Sequence, residues 1–165
     1  ATISSGQDVM VSILGQKATA REFLSTKFMQ KRLPLIMEAV VGAGVPHCVL
    51  MSAYGVGDTV RSASFLMRVA CKTIMRSIFR DRAKADAMVA KYQPYISRAL
   101  PGRLTDEPGK GGAKVVDVTS VAHVPGIPTI AREDVADALL DIAGDPLNAG
   151  TDFLVTIEDV VIRAA

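Results

Sequence analysis

The chain has no tryptophan, and only 5% of its 165 residues are aromatic. A core drawn from this composition is aliphatic and filled with methionine, which favours helices alternating with buried parallel strands over an aromatic-rich sandwich. Cysteine is scarce too. Cys48 and Cys71 lie in apolar segments without CxxC spacing, so both read as small core residues of a reducing compartment, and the cytoplasm is the expected location. Neither sign of charge dominates, and a net +2 is too small for wholesale binding of nucleic acid or lipid. No apolar run approaches the ~18 residues of a membrane span. Ala1 to Ser5 lack a basic region followed by an apolar stretch, so no secretory leader is expected there. His47 and His123 have no Cys, Asp or Glu at ligand spacing, and no metal site is expected.

What is present is an alternation of strands and helices. Val9 to Leu14 is almost continuously apolar, as in a strand covered on both faces, and Gly15 closes it. Lys17 to Arg32 carries Phe23, Leu24, Phe28 and Met29 at helical spacing. Pro34 fits the first turn of a fresh helix, which runs to Gly42-Ala43-Gly44. His47 to Ala53 is a second strand, and Tyr54 to Thr59 a turn-rich loop. Val60 to Tyr92 is helical, in one or two pieces, and ends before Pro94.

Tyr95 to Leu100 reads as a third strand. Asp106 to Gly112 reads as a flexible glycine-rich loop, Lys114 to Val118 as a short strand and Val124 to Pro128 as an extended connection. Thr129 is placed to cap a last amphipathic helix, with Glu133 and Asp134 where the helix dipole favours anions. Gly144-Asp145-Pro146 stops that helix, and Phe153 to Ile157 is the final main strand. This order predicts one α/β domain over residues 1–165, with a mostly parallel sheet of four or five strands and helices on both faces.

In such a sheet, ligands sit beyond the carboxyl ends of the strands. The residues there are Leu14-Gly15, Ser52, and Pro101-Gly102 with Leu104-Thr105. A phosphate-binding Gly-x-Gly-x-x-Gly turn is absent. Gly55-Val56-Gly57 has Val60 in place of the third glycine, and Gly109 to Gly112 follows no apolar strand.

These segments, in this order, resemble the C-terminal half of an atypical short-chain dehydrogenase/reductase, the NAD(P)-binding Rossmann group that includes flavin reductase and NmrA-like proteins. The resemblance implies an oxidoreductase that uses NADP or NAD. It places the cofactor against Leu14, Gly15, Ser52, Lys84, Pro101, Gly102 and Leu104. Ser52 would lie near the substrate carbonyl, and Lys84 would supply the lysine of the family's Tyr-x-x-x-Lys pair on the long helix. Four residues before Lys84 stands Arg80, which is permanently protonated and a poor proton donor. Leu100 stands where relatives commonly carry arginine before Pro-Gly.

With the glycine-rich half not found, the chain is expected to be incomplete and not catalytic alone. The Val9–Leu14 edge is expected to be covered by a homodimer partner, by a completing chain, or by the chain's own Lys114–Val118 segment. The competing class is a non-enzymatic interaction module using that edge. Last, Arg68, Lys72, Arg76, Arg80 and Lys84 recur every fourth residue. Such a stripe drifts ~40° per step, so only neighbouring members share a face. It reads as a solvated helix face or as a basic groove for a polyanion.

Overall fold

The computed structural model describes residues 6–15 and 26–163. Its main sheet has five strands in the order β1-β2-β3-β8-β5. Strands β1 (Val9–Ser12), β2 (His47–Met51), β3 (Ile96–Pro101) and β8 (Asp152–Thr156) run parallel, and β5 (Lys114–Asp117) lies antiparallel on β8. Two small pairs stand apart: β4 (Arg103–Thr105) with β7 (Thr129–Ala131), and β6 (Val121–His123) with β9 (Val161–Ile162). The α/β architecture with a mostly parallel sheet is the one expected.

Alternation along the strands divides the core between two faces. Cys48, Leu50 and Ile96 meet α1 (Phe28–Gly42) and Ala85 of α3 (Arg76–Met88) on one face. Val49, Ala99, Phe153 and Val155 meet α4 (Arg132–Gly144) on the other. On the first face Leu100 and Leu154 also pack against Tyr54, Val121 and α2 (Phe65–Lys72). Cys48 and Cys71 are both buried and free, as expected.

Several sequence expectations are corrected. Pro34 lies inside α1 rather than at a helix start. The buried stripe Met29, Leu33, Met37 and Val40 continues through it, and that burial outweighs one missing N–H. The N-cap residue Lys27 makes no side-chain bond to the helix; Asp81 of α3 caps it instead, accepting from the Met29 amide at 2.8 Å and the Gln30 amide at 3.3 Å. Phe23 and Leu24 lie outside the described residues. The glycine stop holds: Gly44 adopts φ 75°, with Gly44 N–H donating to Val41 and Val45 N–H to Val40. The long helical stretch is two helices, with an elbow at residues 73–75.

Thr129 belongs to β7, and Ala131 is the residue before α4, because Arg103–Thr105 pairs in register with Thr129–Ala131. Glu133 and Asp134 do sit in the first turn of α4. They hold the Gly109–Gly111 loop, which is pinned rather than flexible: Gly109 N–H donates to Glu133 at 2.7 Å and Gly111 N–H to Asp134 at 2.8 Å. Lys114–Asp117 occupies the edge opposite β1, so it does not cover β1, whose only strand partner among the described residues is β2.

Candidate functional site

The ends of β1 and β2, strand β4 and two helices build a cleft of about 270 Å³. Leu14 and Gly15 enter it from the end of β1, Ser52 from the end of β2, and Leu104 from β4. Helix α3 and the residue before it contribute Met75, Ile78, Phe79 and Arg82, at helical spacings of three, four and seven that share one face. Met29 of α1 completes an apolar wall. Four of the sequence-predicted positions are thus brought together.

Pro101 and Gly102 support this cleft without lining it. The Pro101 carbonyl accepts from the Tyr54 amide at 2.8 Å, tying the end of β3 to the loop after Ser52. Gly102 passes so close to Pro128 that a Cβ there would meet its carbonyl oxygen at 2.2 Å, and only glycine permits the crossing. Arg103 N–H then donates to that same oxygen at 2.8 Å, which fixes where Leu104 begins.

Lys84 is not brought to the cleft. It is exposed and stands two residues past Arg82, about 200° further round the helix. Arg82, which the sequence reading missed, is the cation of α3 that faces the cleft. Its signal was its place seven residues after Met75 in an otherwise apolar stripe.

The electrostatics of the cleft are unusual in two respects. The Ser52 hydroxyl oxygen is shut off from solvent and has no hydrogen-bond partner among the described residues. A buried hydroxyl without a partner costs free energy, and such an orphaned group calls for an explanation. Arg82, by contrast, is held: its Nε donates to Asp86 at 3.2 Å with both side chains buried. Burial lowers the Arg82 pKa and raises that of Asp86, and the attraction between the pair opposes both shifts. Asp86 also faces Arg98 at 3.6 Å, and Arg98 binds Asp152 through two hydrogen bonds of 2.8 and 2.6 Å. Burial disfavours the Arg98 charge, but the Asp152 and Asp86 contacts outweigh it and push its pKa above the ordinary value.

A strand-end cleft in a mostly parallel sheet, walled by apolar side chains, is the place where doubly wound α/β domains bind their ligands. The NAD(P)H-binding family matches residues 1–146, and the chain belongs to it. No curated protein matches the sequence. Solved structures do. A short-chain dehydrogenase/reductase from Veillonella parvula in complex with NADP has a TM-score of 0.67 at 14% identity, covering 92% of this chain and 63% of that one. An oxidoreductase, ylbE from Lactococcus lactis, has a TM-score of 0.66 at 18% identity, with 92% and 63% covered. ChuY of Escherichia coli, an anaerobilin reductase, has a TM-score of 0.63 at 18% identity, with 92% and 64% covered. These likenesses establish a Rossmann-like fold, and this chain spans a little under two thirds of the length of each of the three. The orphaned Ser52 hydroxyl and the apolar walls fit the nicotinamide end of such a cofactor.

Proposed function

We propose that the chain forms the nicotinamide end of the NAD(P)H site of an oxidoreductase, with Ser52 and Arg82 facing the reacting centre. The observation that carries this is the buried, unpartnered Ser52 Oγ in a cleft shared with Leu14, Gly15 and Leu104. When bound, the cofactor supplies a hydride to an acceptor. Leu14, Gly15 and Leu104 hold the nicotinamide and its ribose, while the Pro101–Gly102 crossing keeps Leu104 in position. Ser52 donates its hydroxyl proton as a hydrogen bond to the oxygen or nitrogen that gains electron density. Arg82, fixed by Asp86, adds a positive field at that point. Met29, Met75, Ile78 and Phe79 exclude water.

The cleft touches one end of a dinucleotide, and the sequence has no glycine-rich pyrophosphate turn. Reduced nicotinamide mononucleotide and NADPH should therefore bind this chain with similar, weak affinity, no tighter than roughly 0.1 mM. Ser52→Ala should weaken both by about tenfold, through loss of one buried hydrogen bond. Fluorescence titration of each reduced nucleotide checks this. Micromolar NADPH binding alongside undetectable mononucleotide binding would place the site elsewhere.

The edge of β1 that has no strand partner among the described residues supports a companion reading, in which a second copy of the chain pairs there across a two-fold axis. Val11 and Ile13 are 38% and 65% exposed on or beside that strand. Sedimentation should give a dimer at micromolar concentration that Val11→Lys converts to monomer; a monomeric wild type removes the reading. Two buried free thiols, with that of Cys48 pushed up to about 12 by burial, are in keeping with a reducing cytoplasm.

A further inference from the structure

Across Phe79 from the cleft lies a second cavity, an open groove of about 450 Å³. Its floor includes Val60, Cys71 and Phe79, and its rim carries Lys72, Arg76 and Arg80. The elbow between α2 and α3 brings these cations together: Lys72 ends one helix, Arg76 opens the next, and Arg80 follows one turn on. They are the middle three of the four-residue repeat in the sequence; Arg68 and Lys84, its end members, do not line the groove.

The three cations are left without carboxylate partners among the described residues. Elsewhere Arg61, Arg82, Arg98 and Arg132 each hold an aspartate. No acidic side chain lines the groove. Like charges gathered on one rim repel, and an anion bound between them relieves that repulsion. The floor is tight as well as apolar: Gly55 takes φ 94° there, and a Cβ on it would meet the Cys71 sulfur at 2.8 Å. Flat apolar surface beneath a row of free cations suits a molecule with both properties.

We propose that this groove is the substrate side of the site and takes a small amphipathic anion. The ligand would have an aromatic or extended apolar body lying on Phe79 and Val60, and two or more carboxylate or phosphate groups on Lys72, Arg76 and Arg80. The assignment as substrate side rests on the cofactor reading above, because Phe79 is the wall that the two cavities share. A nucleic acid is disfavoured, since the groove offers one aromatic side chain and no succession of stacking platforms.

The test titrates the full chain with anilinonaphthalene sulfonate, an aromatic anion, and with neutral phenylnaphthylamine, following the fluorescence of each. A parallel NADPH titration reads the cleft independently. The anion should bind at one saturable site. R76E/R80E should weaken it by about tenfold or more, while changing the neutral probe and NADPH by less than about twofold. A control reversal on α1, K31E/R32E, should leave all three unchanged. R76Q/R80Q reads the same loss if the reversals do not fold. Equal anion affinity in wild type and R76E/R80E overturns the proposal. So does loss of NADPH binding in R76E/R80E, which would make the groove a cofactor phosphate site, and so does selective retention of a single-stranded oligonucleotide over the small anion. If the anion depends on Arg76 and Arg80 while NADPH fails to bind the wild type, the groove stands and the cleft reading falls.

Discussion

The cleft and the groove share Phe79 and lie on the same helix, yet they treat charge in opposite ways. In the cleft the one cation, Arg82, is buried and clamped by Asp86. In the groove three cations stand at the surface without partners among the described residues. Desolvation explains the difference: a buried guanidinium must be paired, whereas an exposed one is already satisfied by water and can wait for a ligand. A buried, paired cation and an exposed one without a carboxylate partner among the described residues thus stand only two residues apart on one helix, at Arg82 and Arg80.

Removing the clamp should break that contrast most severely. Asp86→Ala leaves Arg82 buried without its partner and takes one carboxylate from Arg98, so it should cost about 3–5 kcal/mol in urea unfolding. Arg80→Ala, on the groove rim, should change stability by less than about 0.5 kcal/mol. Comparable losses for the two would mean that the groove cations are structural after all.

A smaller effect tests how firmly the cleft itself is built. Gly102→Ala forces a methyl against the Pro128 carbonyl and should cost about 1–3 kcal/mol. It should weaken nicotinamide nucleotide binding through displacement of Leu104, and leave the groove's anion affinity as it was. Equal damage to both cavities would show that they are one mechanical unit.

The mildest test concerns the other orphan. His47 is buried, its Nε2–H donates to Ser97 at 2.8 Å, and its Nδ1 has no partner among the described residues. Ser97 donates in turn to the Asn148 carbonyl, which leaves Nε2 as the protonated nitrogen. Burial lowers the His47 pKa, opposed by the Asp145 charge. The unfolded chain thus binds this proton more readily, and stability should fall as pH drops below about 6.5. His47→Gln should flatten that slope, as urea midpoints at several pH values would report. An unchanged slope would mean that the carboxylates alone carry the acid sensitivity.

Much of the fold could be read from the sequence because its strands are short, apolar and closed by Gly, Ser or Pro-Gly. Their ends pointed to Leu14, Gly15, Ser52 and Leu104, which the fold gathers around one cleft, since strand ends depend on local pattern. Arg82 escaped because its meaning depends on helix phase. Counting to Lys84 followed the spacing of a motif whose tyrosine is absent, and rotation about the helix put that lysine in water. Asp81 as the cap of α1, and Glu133 with Asp134 as anchors of a glycine loop, are contacts between residues distant in sequence. No local pattern announces such pairs. Thr129 looked like a cap because it precedes a helix, yet β4 recruited it into a strand.

The strand order carries a consequence for how the molecule assembles. Val9 pairs with His47, Cys48 with Ile96 and Arg98 with Asp152, and β5 finds β8 only after α4 has intervened. No tight hairpin joins any two strands of the main sheet, so each pairing must close a loop of more than thirty residues. Helices of α2 and α3 type can form early from neighbouring residues, while the sheet waits for chain ends to meet. Folding should accordingly be slow and limited by sheet closure, with the Ser52 cleft, which needs β1, β2 and β4 together, among the last features to appear.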